Sequence, residues 1–201
     1  MLNRALFIAF VAFLSPALRS VAQPADEKSV HELMLEDQAD RQPPGGDISK
    51  IDWQKVGSRD AARRNSIRTM LLKGELKTGS DFHDAALIFQ HGSESSDYLM
   101  AHVLAMAALL KGNADSRQLA AMTLDRYLHF IGQPQIFGTS YHNQNGSPVT
   151  QEPFNRALIP VPLRAVFCIP NDHIEQIMLK AFQQNHYPDL SKYESELPCH
   201  Q

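Results

Sequence analysis

The 201-residue sequence predicts a mainly α-helical fold, a compact bundle of about six to eight helices with one small β-hairpin. Three observations carry this. Apolar residues recur at helical spacing through most of the chain, and Gly and Pro interrupt them at intervals suited to helix–turn–helix succession. Only the stretch from Ile136 to Phe154 sets β-prone residues (Ile136-Phe137, Tyr141, Val149-Thr150) around Asn145-Gly146, a favoured hairpin turn pair.

Residues 1–22 read as a signal peptide. Arg4 gives a positive start, Ala5 to Leu14 an apolar core, and Ser20-Val21-Ala22 small residues for cleavage before Gln23. The apolar run breaks at Ser15-Pro16, short of the roughly 20 residues a spanning helix needs, so no stable membrane anchor is expected after cleavage. Residues 23–201 are then expected as a single helical domain, periplasmic or secreted. Without Arg4 and Arg19, 17 basic residues face 22 acidic ones, and the formal charge moves from −3 to −5. That balance gives no electrostatic reason to expect nucleic acid as a partner. An oxidising compartment would allow Cys168 and Cys199 to pair, although two cysteines carry no pattern that requires it.

A first helix is predicted from about Glu27 to Ala39, with Val30, Leu33 and Met34 on its apolar face; continuing that stripe reaches Asp37 and then Arg41. These two can form an ion pair, which on an exposed surface would contribute only a few tenths of a kcal/mol. Pro43-Pro44-Gly45-Gly46 stops the helix. A second is predicted from about Ser58 to Leu72, placing Asp60, Arg64, Ile67 and Leu71 on one face, with Trp53 as a core anchor before it.

A third helix, opened by a cap at Ser80 or Asp81, runs to Phe89 and places Gln90 and His91 in its last turn, with Gly92 as the left-handed cap. His91 there can simply complement the helix dipole. Asp97 to Lys111 is apolar on nearly every side, which predicts a central, surrounded helix; its His102 is either packed and hydrogen-bonded or meets His91. The fifth helix, Ala114 to Ile131, carries Asp125 inside the apolar stripe of Met122, Leu128 and Ile131. A carboxylate so placed needs a partner, for which Arg126, Arg64, Arg41 and His91 are candidates. Shorter helices are predicted around Arg156 to Phe167 and from Asp172 to Gln184, the latter capped by Asn171.

Known chemistries are excluded more readily than assigned. His31-Glu32-x-x lacks the second His of a zinc protease motif, no Gly-rich phosphate loop or G-x-S-x-G is present, and no His pair has a short ligand spacing. No metal site or cofactor is called for.

Read in order, Asp37-Gln38-x-x-Arg41, Gln90-His91, Asp125-Arg126 and Gly132-x-x-Gln135-x-Phe137-Gly138-Thr139 resemble a bacterial family of proteins of unknown function. Its ordered motifs are D-Q-x-x-R, Q-H, D-R and G-x-x-Q-x-Y-G-T-Q. The resemblance spans Glu36 to Tyr141, with Phe137 in place of Tyr and Ser140 in place of the last Gln. It implies a residue set rather than an activity.

Two functions follow. In one, the chain is an exported helical binding or interaction module for a partner as yet unknown, with Asp37, Gln38, Arg41, Gln90, Gln135 and Thr139 as binding candidates; the polar set then satisfies itself internally. In the alternative it is an envelope or secreted hydrolase, with catalytic candidates His91, Asp125 and Arg126. There His91 acts as acid or base, Asp125 orients it, and Arg41 or Arg126 holds an anionic group.

Overall fold

A computed structural model describes residues 28–143 and 146–199. The predicted signal segment and Asn145 lie outside them. Among the described residues the fold is mainly helical, with seven α-helices and three short 3-10 segments, and no helix is long and apolar enough to cross a membrane.

Helix α1 (Val30–Ala39) opens on a capping box, in which the Ser29 side chain accepts from Glu32 N while Glu32 reaches back to Ser29 N. It buries Val30, Leu33 and Asp37. Helix α2 (Trp53–Lys73) starts earlier than the apolar periodicity indicates, because Asp52 caps it by accepting from Lys55 N; Gly74 closes it at φ 66°. The early start puts Trp53 in the first turn, 53% exposed rather than in the core.

Helix α3 (Gly79–Phe89) is capped by Thr78 and buries Ala85, Ala86, Ile88 and Phe89. Gly92 does not take the left-handed conformation expected of a cap. Its lack of a side chain serves a close approach instead: a Cβ there would stand 2.2 Å from the Cβ of Asp97. Helix α4 (Ser95–Leu110) packs between α3 and α5 (Ser116–Phe130) through Ala101, Leu104, Ala105 and Ala108. It is central but not surrounded, since Leu99, Met100, Val103, Met106 and Leu110 are exposed; small residues bring the neighbouring helices close on one side only. Its His102 bonds the Ala120 carbonyl through Nδ1 at 2.9 Å and does not meet His91.

The main core joins Ile67 of α2 to Ile88 and Phe89 of α3, with Leu104 and Leu119 around them. Each such side chain contributes about 1.5–3 kcal/mol by burial. A second cluster sets Phe137 against Ala121 and Ile169. Helices α6 (Val161–Val166) and α7 (Asp172–Gln183) complete the fold, α7 capped by Asn171 through Ile174 N. The Cys168–Cys199 disulfide ties the last described residue to the end of α6.

The expected β-hairpin is not formed. Among the described residues no strand appears, and the region holds only isolated bridges, Gln135 with Phe154 and His142 with Thr150. The backbone donors a hairpin would use are committed elsewhere: Ile136 N, Phe137 N and Thr139 N all go to Asp125.

Candidate functional site

Four of the motifs come together at one end of the bundle and separate into two groups. The first is structural. Asp125, wholly buried on α5, accepts from Ile136 N (2.8 Å), Phe137 N (3.0 Å), Thr139 N (2.9 Å) and Thr139 Oγ1 (2.8 Å). Its two oxygens each take two donors, so the partner required by its place on an apolar stripe is the next loop's backbone, not an arginine or His91. Gln135, 1% exposed, closes the same loop: Oε1 accepts from Ser140 N at 2.8 Å and Nε2 donates to the Ser140 and Gln151 carbonyls. Gly138 sits at φ 80°, where an added Cβ would be 2.5 Å from the Phe154 ring. The Gly-x-x-Gln-x-Phe-Gly-Thr segment is therefore a loop wrapped around one carboxylate.

The second group faces a cleft of about 750 Å³. One wall comes from the motif residues Gln38, Arg41, Gln90, His91 and Arg126, with Thr139 beside them. The opposite wall is apolar and aromatic, built from Tyr141, Met178, Phe182 and Tyr187; the Tyr141 and Phe182 rings are 5.0 Å apart and Tyr187 stands edge-on to Phe182. Trp53 lies at the rim. The volume is within the range of small-molecule sites.

Within the polar wall, the carboxylate beside His91 is Asp37 and not the expected Asp125. His91 Nδ1 is 2.9 Å from Asp37 Oδ2 and 3.2 Å from Oδ1. A carboxylate only accepts, so Nδ1 carries the proton and Nε2 presents its lone pair. Among the described residues Nε2 has no protein partner. Burial pulls the His91 pKa below its ordinary value against the pull of Asp37, and Arg126 and Arg41 push the same way as burial. Burial acts to raise the Asp37 carboxyl, but the His91 bond and the charges of His91, Arg41 and Arg63 outweigh it, and the pKa is lowered.

Asp37 and Arg41 do pair, at 3.2 Å, but buried rather than on the surface. Arg41 also meets Asp60, which is shared with Arg63 at 3.2 Å; Arg63 reaches Asp40 at 2.6 Å, and Asp40 takes Arg59 at 2.8 Å. One turn farther along α2, Arg64 Nε lies 3.2 Å from Asp97 Oδ2 and its Nη1 donates to the His91 carbonyl at 2.7 Å. Asp40, Arg63 and Asp97 were not among the residues singled out by sequence; the usable signal was the charged pair Asp60 and Arg64 on the apolar face of α2 with Ile67. Gln38 donates to Asp37 Oδ2 at 2.8 Å.

Arg126 differs from every other arginine of this wall. Its Nη1 donates to the Gln90 carbonyl at 2.9 Å, yet no carboxylate of the described residues lies within ion-pairing distance. Burial lowers its pKa. Gln90 itself is 5% exposed and its Oε1 has no partner. Among the described residues no group of three or more His, Cys, Asp or Glu is placed to hold a metal ion. Comparison with protein families, with curated proteins and with solved structures finds no match to this chain.

The His91 arrangement has a pH consequence. The folded pKa is below the ordinary 6.5, so the unfolded chain takes up a proton as the pH falls through 6.5 while the folded chain does not. The contribution to stability is complete above that value and is lost toward lower pH. Thermal melts from pH 7.5 to 5 should fall more steeply for the wild type than for His91→Gln, and equal slopes would refute the assignment.

Proposed function

We propose that this protein is an exported helical binding module whose ligand is a small molecule taken into the cleft between the α1–α3–α5 end of the bundle and α7. The observation that carries this reading is the contrast between the two motif groups: Asp125 and Gln135 have spent their hydrogen-bonding capacity on a loop, whereas His91 Nε2 and Arg126 have not, and both line the cleft. Half-buried polar groups that line a cleft and have hydrogen-bonding capacity to spare are suited to a ligand that completes them. Export is supported by the signal-like residues 1–22 and by the Cys168–Cys199 bridge, which suits an oxidising compartment. The ordered motifs that resemble the bacterial family supply the polar wall and the loop that braces it, so membership of that family fits a shared cleft.

Trp53 is the only tryptophan and stands at the rim, so its fluorescence reports on occupancy. Titration with a small-molecule library should yield compounds that shift this emission and raise Tm in the wild type and fail to do so in Val149→Phe, which fills the cleft from its lining. A library that moves neither signal, or moves both equally in the variant, defeats the proposal.

The Asp37–His91 geometry favours a second reading as a hydrolase. Here Asp37, replacing Asp125 in the orienting role, fixes the tautomer and Nε2 accepts a proton from water attacking a bound ester or phosphoester. Turnover of such substrates that vanishes in His91→Gln, with the variant folded, is the result this reading requires.

A further inference from the structure

Arg126 is half-buried in the lining of the cleft, and its single protein bond is to a neutral carbonyl, that of Gln90 at the end of α3. The remaining arginines of the polar wall and its support all have carboxylates: Arg41 has Asp37 and Asp60, Arg63 has Asp60 and Asp40, Arg64 has Asp97. Asp125, its neighbour in sequence, is fully occupied by the loop and cannot serve as its counterion. Arg41 acts on Arg126 repulsively, while Tyr98 and the charge of Asp37 act on it favourably without reaching ion-pairing distance. A partly desolvated guanidinium without a counterion carries some of the cost of a buried charge, and a bound anion offsets it. Its fork of donors suits the planar or tetrahedral oxygens of an oxyacid.

Two further features narrow the ligand. Gln90 is buried beside Arg126 with an amide oxygen still unpartnered; an oxygen only accepts, so it leaves the anionic head to Arg126 and favours a ligand whose donors, if any, lie outside the head group. Across the cleft, Tyr141, Met178 and Phe182 offer an apolar, aromatic wall that an inorganic ion would leave empty.

We infer that the ligand is a small organic anion, with a carboxylate or phosphate-monoester head held by Arg126 and an aromatic or aliphatic body laid against Tyr141, Met178 and Phe182. This rests on the cleft reading proposed above. It goes further by assigning the head group to Arg126 and excluding Arg41, whose donors are already engaged by Asp37 and Asp60.

The test uses matched probes and calorimetric titration of the mature chain. Phenylacetate and phenylacetamide share shape and differ in charge; phenyl phosphate supplies the other head group, and inorganic phosphate the head without a body. The wild type should bind phenylacetate or phenyl phosphate at least about tenfold more tightly than phenylacetamide, a ratio worth about 1.4 kcal/mol. Inorganic phosphate should bind more weakly than phenyl phosphate. Arg126→Met should abolish the preference for the charged probe while phenylacetamide binding persists, and Arg126→Lys should restore it in part. Whichever of the two anionic probes binds more tightly fixes the head group.

Equal affinity of the wild type for the anionic and neutral probes overturns the anion assignment and leaves the cleft reading standing. So does an anion preference that survives in Arg126→Met. Absence of binding by all four probes overturns the assignment; if the broader library also fails to perturb Trp53, the cleft reading falls with it. A melt of Arg126→Met in the same buffer confirms that a lost preference reflects the missing charge and not an unfolded chain.

Discussion

Asp125→Ala should be one of the two most destabilising single changes in the polar set. The substitution removes one carboxylate and with it the acceptor of three backbone N–H groups and one hydroxyl in the 136–139 loop. Phe137 N is buried, and Phe137 itself is 5% exposed in the second apolar cluster, so its donor cannot turn to water without opening that cluster. Each buried donor left unmade costs on the order of 1–3 kcal/mol, and partial relaxation of the loop brings the total to about 3–5 kcal/mol. For a domain of this size that is a fall in Tm of about 10 °C. Asp125→Asn should fall between, because an amide keeps one acceptor but turns an NH2 toward donors that it repels. Urea unfolding of the three chains measures the order directly, and an Asn variant less stable than the Ala variant would refute the account.

The second large effect is expected at Asp60. It stands 4% exposed between Arg41 and Arg63, and both cations are themselves largely buried. Removing the carboxylate in Asp60→Ala leaves three arginines, Arg41, Arg59 and Arg63, to share Asp37 and Asp40. Breaking one member out of a buried ionic network costs about 3–5 kcal/mol, chiefly through the charge left behind. The double variant Asp60→Ala with Arg63→Met should therefore recover part of the loss, since Asp40 keeps Arg59 as its partner. Losses that simply add would show that uncompensated charge is not the cause.

Several of these features were legible in the sequence for local reasons. Helix α7 lies where its Asn171 cap places it, whereas α1 ends at Ala39 as expected but begins at Val30 rather than near Glu27, because Ser29 caps it. The need of Asp125 for a partner followed from its place on an apolar stripe; the partner's identity did not, because it is formed by backbone groups 11 to 14 residues away that only the folded loop aligns. The same bonds explain the missing hairpin. Asn145-Gly146 is a local signal for strand pairing, met only by the His142–Thr150 bridge; farther from the turn a buried carboxylate takes the N–H groups that would extend it into strands. Trp53 was misplaced because the Asp52 cap starts α2 before its apolar periodicity begins. The aromatic wall was invisible for another reason: Met178, Phe182 and Tyr187 lie past the stretch that carries the motifs, and nothing in their spacing points back to His91.

His91 shows the limit of spacing arguments from the other side. It was singled out with Asp125 as its companion, yet the carboxylate that orients it is Asp37, 54 residues earlier on α1. The two aspartates belong to motifs of equal weight in the sequence and differ only in what surrounds them once folded.

Adjacent residues of α5 thus face different surroundings, Asp125 bracing the loop and Arg126 lining the cleft to which the proposal assigns it. The most direct test of that division is the ligand-free Tm of Arg126→Met at neutral pH. The replacement removes a half-buried cation without a counterion and keeps an apolar side chain of similar reach, so Tm should be unchanged or higher, as is common where a residue is held for function at the expense of stability. A fall of many degrees, comparable to that of Asp125→Ala, would show that Arg126 holds the fold together and would contradict the account.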